Sequence, residues 1–294
     1  MPSLTSQQLA KYYNAYRDIE IIFSTDVVQT LNLDPRQVFI KLSNSQWPCL
    51  INSLSMSQAK IIIGTKSGGF PQLQQEKGCV NLRISFSQFS GSPISFFISA
   101  KLTNIAPYAN SEELVIITLA FTQRPPDDLI EILGQYSDAN VNAVQKKDER
   151  ATISAETIHK LGLAKSEAII VLRGATQQCV ICDLAFSGAR VLLFDINGPF
   201  KDKNVLIRLE FDDIETPLDL PGVIINISLV EGKKNTAMAM IQYAPNMIPM
   251  TYKIRINNYL SRQHRTVQTA EQNVPWFSAT DALSENTTPE SEPA

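Results

Sequence analysis

An internal repeat constrains the fold of this chain more than any other feature of its sequence. Residues 24–63 align with residues 154–193 without a gap at a constant offset of 130, and ten of the 40 aligned pairs are identical. Many of the remaining pairs exchange similar residues, such as Lys60 with Arg190. Because the offset is about the size of a domain, the repeat predicts two related domains in tandem.

The two copies predict the same local structure. Ser24 and Ser154 are residues that cap the start of a helix, and an acid follows each of them two positions later. The short helices that follow end at Asn32 and Gly162, residue types that favour the left-handed conformation of a C-terminal cap. Apolar and alternating runs come next, as is typical of strands.

The number of strands predicts a mainly β fold. Beyond the repeat itself, we expect strands at 80–86, 94–102, 114–121, 205–211, 222–230 and 236–243. Many short strands within about 130 residues indicate a small antiparallel barrel or sandwich. Helices are predicted to close the domains at 126–136 and 249–260, with a polar linker over 137–150. The sequence thus predicts two tandem small antiparallel β-barrels, each with short flanking helices.

The net charge of −3 is concentrated at the C-terminus. Residues 263–294 hold five acids and one base, so this segment carries −4 and the rest of the chain carries +1. The segment is rich in Ser, Thr, Pro and Glu without a hydrophobic period, which predicts a mostly disordered acidic tail. The predicted organisation is a first domain over 1–140, a second domain over 141–262, and the tail.

Composition excludes several classes of protein. No apolar run approaches the ~18 residues of a membrane span, and the first 18 residues lack the apolar core of a secretory signal. Four cysteines are too few for a disulfide scaffold, so we expect a cytoplasmic protein. Nucleic-acid binding through strand-borne Arg208, Arg255 and Arg262 is a further alternative, and the near-neutral charge of the body argues against it.

The second copy contains a recognisable motif. The segment ICDLAFSGARVLLF at 181–194 resembles the central motif of PilZ domains, Asp/Asn-x-Ser-x-x-Gly. Asp183 and Gly188 match that motif, whereas Ala185 stands where the family has serine.

The other PilZ signature, Arg-x-x-x-Arg, lies just upstream of the barrel. In this chain the segment KKDER places Lys146 at its first position and Arg150 at its second. The resemblance covers about 146–262, and the whole chain is similar to the tandem two-domain PilZ proteins of spirochaetes.

The resemblance implies a receptor for cyclic diguanylate (c-di-GMP) that is not an enzyme and transmits binding to a partner protein. The implied ligand-binding residues are Lys146, Lys147, Arg150, Asp183, Ala185, Ser187 and Gly188. A guanidinium can fork onto a phosphate or lie flat on a guanine, and a carboxylate can accept hydrogen bonds from a guanine. A glycine lets the backbone approach a ligand closely. Because the basic residues lie in the predicted linker, binding would fix how the two domains face each other.

The first copy is an internal control for this site. At the same offset, the places of Lys146, Arg150, Asp183 and Gly188 are taken by Tyr16, Glu20, Ser53 and Gln58. Glu20 would repel a phosphate. We therefore expect a nucleotide site in the second domain only, with the first domain acting as a structural partner or an interaction surface.

Two departures from the family pattern leave an alternative open. Lys146 cannot make the bidentate or stacked contacts of arginine, and Ala185 lacks the serine hydroxyl. Each lost contact could cost about 1.5–3 kcal/mol, although Arg173 and Arg190 are candidates to compensate. The alternative is a degenerate PilZ protein that binds nucleotide weakly or not at all and acts as a protein-interaction module.

Other motifs give no chemical site. Cys179 and Cys182 form a C-x-x-C within an apolar strand pattern, which indicates buried thiols rather than zinc ligands. His159 and His264 belong to no constellation of Cys, Ser or acidic residues that would indicate a catalytic or metal-binding role. The segment GTKSGG at 64–69 lacks the full phosphate-loop pattern and is interpreted as a hairpin loop. We expect a monomer without cofactor or metal.

Overall fold

The computed structural model of the protein describes residues 4–42, 45–75, 78–87, 92–172, 174–194, 200–233 and 235–272. These residues build two hydrophobic cores, one formed by side chains between Leu9 and Leu133 and the other by side chains between Ala151 and Leu260. An antiparallel sheet surrounds each core, which confirms the mainly β architecture. We refer to the two parts as the first and second domains.

The first domain is an eight-stranded curled sheet with four helices. Its helices are α1 (Ser6–Tyr16), α2 (Thr25–Thr30), α3 (Gly69–Gln75) and α4 (Asp127–Gln145). Its strands are β1 (Ile21–Ile22), β2 (Phe39–Leu42), β3 (Ser45–Pro48), β4 (Leu50–Leu54), β5 (Gln58–Gly64), β6 (Cys79–Phe86), β7 (Ile94–Pro107) and β8 (Leu114–Phe121). The strand order β1-β4-β5-β8-β7-β6-β2-β3 leaves β1 and β3 at the two edges.

The second domain has seven strands, six of which form a closed barrel. Its strands are β9 (Arg150–Thr152), β10 (Glu167–Leu172), β11 (Ala175–Ala185), β12 (Gly188–Leu193), β13 (Asn204–Leu209), β14 (Leu218–Leu229) and β15 (Ala237–Tyr243), and its helices are α5 (Ala155–Leu161) and α6 (Met250–Gln272). Strands β10-β13-β14-β15-β12-β11 form a ring that closes where β11 pairs back onto β10, and β9 adds to β11 from outside the ring.

The first domain differs from the predicted closed barrel at one strand. β3 ends at Pro48 and β4 begins at Leu50, whereas the equivalent part of the second domain is the unbroken strand β11. Proline has no N–H to donate to a strand ladder and is confined to edges and strand ends. The counterpart of β11 is therefore divided at Cys49 into β3 and β4 in the first domain, whose sheet is curled.

The helix caps predicted from the repeat are confirmed. The Ser24 hydroxyl accepts a hydrogen bond from an amide in the first turn of α2, and the Ser154 hydroxyl does the same in α5. Asn32 and Gly162 have positive φ angles of 54° and 70° just after the two helices. Equivalent residues thus start and stop equivalent helices in the two copies.

Helix α4 replaces most of the predicted linker. The linker prediction over 137–150 is wrong for 137–145, because α4 continues to Gln145. The polar composition concealed the burial of this part of the helix, where Ser137 and Ala139 are covered on nearly opposite sides. The early part of α4 packs in the first core through Leu133, and its last turn contacts the second core through Ala143.

Asp138 joins α4 to a helix of each domain. The Tyr16 hydroxyl of α1 donates to one Asp138 carboxylate oxygen at 2.7 Å, and the Asn257 amide of α6 donates to the other at 2.7 Å. Asn142 donates to the Asn257 side-chain oxygen at 2.8 Å. Burial and the hydrogen bond to Asp138 raise the pKa of Tyr16. This polar network fixes α4 between the two domains.

Helix α6 is longer than predicted and extends to Gln272, into the segment expected to be tail. Tyr252, Ile256 and Tyr259 are buried at helical spacing on the face that covers the barrel. Arg255 and Arg262 therefore lie on a helix, so the strand-borne placement is wrong for both, whereas Arg208 lies on β13. Residues 273–294 of the predicted tail are outside the described residues.

The segment GTKSGG connects β5 to α3, so its prediction as a hairpin loop is wrong. β5 pairs with β4 and β8, and the next strand, β6, pairs with β2 and β7. A Cβ atom on Gly69 would lie 2.5 Å from the Trp47 ring. Glycine at this position thus allows α3 to pack against an aromatic side chain rather than a phosphate.

Candidate functional site

Three adjacent strands bring Arg150, Asp183 and Arg190 together. Asp183 on β11 is directly opposite Arg190 on β12, while β9 places Arg150 on the other side of β11. Arg150 Nη1 donates to Asp183 Oδ1 at 2.5 Å, and Arg190 Nε donates to Asp183 Oδ2. We call these three residues the Asp183 cluster.

The Asp183 cluster has more positive than negative charge at the protein surface. The Asp183 side chain is fully buried, whereas 29% of the Arg150 side chain and 44% of the Arg190 side chain are exposed. A buried carboxylate is stable only when it is paired, and here each oxygen has its own guanidinium. Two arginines thus share one carboxylate, and their remaining N–H groups are available to an anion.

The basic motif lies in a turn at the end of α4, over residues 146–149, which we call the basic turn. Lys146 is the C-cap of α4, and its amide donates to Asn142 at 2.8 Å. Lys146 and Lys147 are exposed. Within the described residues, neither lysine forms an ion pair.

The basic turn is attached to the turn between β11 and β12. The Ser187 amide donates to the Lys147 carbonyl at 3.0 Å, and the Ser187 hydroxyl donates to the Asp148 carboxylate at 3.0 Å. His264 of α6 contacts the Glu149 carboxylate of the same turn. These contacts hold the lysines beside the Asp183 cluster, and the role of His264 was not found from the sequence.

Ala185 and Gly188 are buried, so their contacts are within the barrel. The Tyr252 hydroxyl donates to the Ala185 carbonyl at 2.8 Å. A Cβ atom on Gly188 would lie 2.1 Å from the Ile241 carbonyl oxygen of β15. The motif glycine thus permits a close approach of two strands of the barrel.

The position of Arg190 opposite Asp183 can be predicted from the sequence if β11 and β12 are taken as a tight hairpin. Phe186 and Ser187 form a tight connection between β11 and β12, and this register puts Asp183 opposite Arg190. Arg173, the other predicted compensating arginine, lies outside the described residues.

The first domain has a counterpart of the Asp183 cluster in which an acid stands in the place of Arg150 and a neutral serine in the place of Asp183. Glu20 takes the place of Arg150, and it accepts hydrogen bonds from Ser53, in the place of Asp183, and from Lys60, in the place of Arg190, the latter at 2.9 Å. The hydrogen bond from Lys60 lowers the pKa of Glu20. We call these residues the Glu20 cluster. Its one acid and one base cancel, so it offers no surplus charge to an anion.

A cavity of about 400 Å³ lies beside the Glu20 cluster, between β1, α2 and α4. Its lining includes the carboxylates of Glu20 and Asp26. Two carboxylates repel phosphate groups, so this cavity does not suit an anionic nucleotide. The Asp183 cluster, which has surplus positive charge, suits such a ligand better than this cavity.

The cysteines are free thiols. Burial raises the pKa of Cys49 and of Cys179 to about 12, so both thiols are neutral, and the predicted burial of Cys179 is confirmed. Cys182 is half-buried. Within the described residues, no group of three or more His, Cys, Asp or Glu side chains could hold a metal ion, and no helix has the length and apolar character to cross a membrane.

Comparisons with known proteins agree with the resemblance. A family model described as the PilZN3 domain matches residues 7–140. A cyclic di-GMP binding protein of Treponema denticola is 43% identical over 263 residues, which are 89% of this chain and 84% of the relative. The chain belongs to the PilZ family.

Two solved structures are more distant. The Borreliella burgdorferi PlzA protein in complex with c-di-GMP is 25% identical with a TM-score of 0.40, over 87% of this chain and 99% of that chain. YcgR from Escherichia coli in complex with c-di-GMP is 12% identical with a TM-score of 0.26, over 84% of this chain and 92% of that chain.

Proposed function

We propose that this chain is a non-enzymatic receptor for c-di-GMP and that the ligand binds at the Asp183 cluster and the basic turn. The observation that carries the proposal is the 43% identity, over 89% of the chain, to a relative named as a cyclic di-GMP binding protein. The surplus positive charge of the Asp183 cluster supports it, since the ligand carries two phosphates.

The proposed ligand contacts divide into two groups. Lys146, Lys147, Arg150 and Ser187 are exposed or half-buried and contact the ligand directly. Asp183, Ala185 and Gly188 are buried, so they act by shape and orientation. In particular, Asp183 accepts hydrogen bonds from the arginines rather than from a guanine, and thereby holds a guanidinium in the geometry that a phosphate or a purine face requires.

Titration calorimetry of the purified protein with c-di-GMP tests this proposal. We expect one saturable site for the wild type and a loss of at least about 100-fold in affinity for Arg150→Ala, because two or more charge-assisted hydrogen bonds disappear. The matched control is Arg124→Ala, since Arg124 is a half-exposed arginine paired with Asp127 in the first domain. Absence of binding to the wild type, or an equal effect of the two substitutions, would overturn the proposed function.

The second candidate function is a PilZ protein without a working nucleotide site that acts as a protein-interaction module. Lys146 and Ala185 in the places of arginine and serine favour it. The same titration separates the two functions, because an interaction module gives no heat of binding with c-di-GMP.

We infer that binding is transmitted through α4. The basic turn begins at the C-cap of α4, and the rest of that helix contacts α1 and α6 through the Asp138 network. A ligand that binds Lys146 therefore contacts the C-terminal end of α4, the helix that joins the two cores. We propose a cytoplasmic monomer that presents the resulting domain arrangement to a protein partner.

Asp138→Ala tests the role of this network. We expect the free energy of unfolding to fall by about 1–3 kcal/mol, because the Tyr16 hydroxyl and the buried Asn257 amide lose their acceptor. Urea denaturation followed by circular dichroism measures the change. Asn140→Ala, on the exposed face of the same helix, is the control. Equal stability of the two variants would contradict a structural role for the network.

A further inference from the structure

The Asp183 cluster contains an arginine that neither PilZ signature includes. Arg190 follows the motif glycine by two positions and lies on β12, opposite Asp183. Its position is therefore set by the barrel ladder rather than by a loop. A guanidinium on a strand is held in place before a ligand arrives, which lowers the entropic cost of binding.

The hydrogen bonds of Arg190 leave part of its donor capacity unused. Nε donates to Asp183, and this is its one ion pair among the described residues. A guanidinium has five N–H donors. The side chain is 44% exposed, so a ligand can reach it from outside the barrel.

The ion pairing of Arg190 differs from that of two other basic residues on strands, Arg208 and Lys60. Arg208 on β13 makes a two-pronged contact with Asp219, at 2.7 and 2.9 Å, and this one-to-one pair is neutral. Lys60, the counterpart of Arg190 in the first domain, has Glu20 as its own partner. Arg190 alone of these three shares its carboxylate with a second cation, Arg150. Its charge is therefore only partly compensated.

We propose that Arg190 binds c-di-GMP directly and supplies the second guanidinium that Lys146 cannot provide. This inference rests on the proposed function. In the PilZ pattern two arginines precede the barrel, whereas here one of them is a lysine and an arginine of the barrel wall lies on the other side of Asp183. Arg150 and Arg190 then form a pair of guanidiniums, aligned by one buried carboxylate, that can contact a phosphate or the face of a guanine.

Titration calorimetry with c-di-GMP tests the inference in four forms of the full-length protein. We expect Arg190→Ala to weaken binding by roughly ten- to a hundred-fold relative to the wild type. Arg190→Lys, which keeps a cation beside Asp183, should weaken binding several-fold and guards against a variant that fails to fold. Arg208→Ala, the matched control on the same barrel, should leave the affinity unchanged.

A rescue experiment distinguishes ligand contact from a purely structural role. If Arg190 supplies the missing guanidinium, adding Lys146→Arg to Arg190→Ala should restore at least about ten-fold of the lost affinity. An arginine that served only to neutralise Asp183 would not be replaced from position 146. Failure of this rescue overturns the inference.

The outcomes also separate the inference from the proposed function. No binding to the wild type refutes the proposed function and the inference with it. Normal binding to the wild type, with Arg190→Ala indistinguishable from Arg208→Ala, refutes the inference and leaves the proposed receptor function intact.

Discussion

The double substitution Arg150→Ala with Arg190→Ala is expected to lower the free energy of unfolding by about 3–5 kcal/mol, because the fully buried Asp183 carboxylate loses both of its cations. Each single substitution should cost at most about 1 kcal/mol, since the arginines are partly exposed and one of them still pairs with Asp183. The effect of the pair should therefore exceed the sum of the single effects. Urea denaturation of the four proteins in this cycle measures it.

Adding Asp183→Ser to the double variant is the control for this prediction. Serine is the residue that the first domain has at the same position, Ser53. Removing the carboxylate together with its partners should recover most of the lost stability, because no unpaired buried charge is left. Additive single effects, or a triple variant no more stable than the double, would show that Asp183 does not depend on the two arginines.

Gly188→Ala is expected to destabilise the second domain by about 3 kcal/mol. The added Cβ would lie 2.1 Å from the Ile241 carbonyl oxygen, and backbone atoms of two paired strands cannot be relieved by a change of rotamer. Strands β12 and β15 would have to separate. Hydrogen-exchange mass spectrometry should show faster exchange in these two strands, and urea denaturation gives the size of the effect.

Gly64→Ala is the matched control for Gly188→Ala. Gly64 also lies at the end of a strand, but the nearest atom to an added Cβ is 3.8 Å away, which is an ordinary van der Waals distance. We expect a change of less than about 1 kcal/mol. A similar loss in both variants would mean that the close approach at Gly188 is not what requires glycine.

The repeat predicted those parts of the fold that depend on local patterns. Cap residues such as Ser24 and Ser154, and the apolar alternation of the strands, are short-range signals, so most helix starts and strands were found. Helices α1 and α3 were not predicted. The face of α1 that packs against α4 includes Tyr12, whose side chain lies where a Cβ on Gly134 would be, so this contact depends on residues far apart in the sequence.

The division of the β11 counterpart and the length of α4 could not be predicted from local patterns, because both depend on long-range contacts. A single proline, Pro48, ends β3 and so divides the counterpart of β11 in the first domain. This effect depends on strand pairing between residues far apart in the sequence. The polar segment after residue 136 has the composition of a linker. In the structure, Asp138 in this segment accepts hydrogen bonds from α1 and α6, which stabilise the helix. The donors are more than 100 residues away from Asp138, so a local stretch of sequence does not reveal them.

The residues of the site were easier to predict than their roles. The motif placed Asp183 and Arg150 in one site, and the structure brings them into contact. The predicted contacts of Asp183 with guanine and of Gly188 with a ligand were inferred from chemistry alone. Burial gives both residues contacts inside the protein, and burial cannot be read from a motif.

Helix α4 also determines how this protein can be divided for experiments. A fragment that ends at residue 140, where the PilZN3 match ends, cuts α4 before its last turn. A fragment that starts at 141 begins inside the same helix, whose earlier residues pack in the first core. Either cut exposes an apolar helix face and removes one side of the Asp138 network. The connection between the domains is a helix rather than a flexible linker. Proteolytic cleavage there would break α4, so the properties of a cleaved chain should not be taken as those of the intact protein.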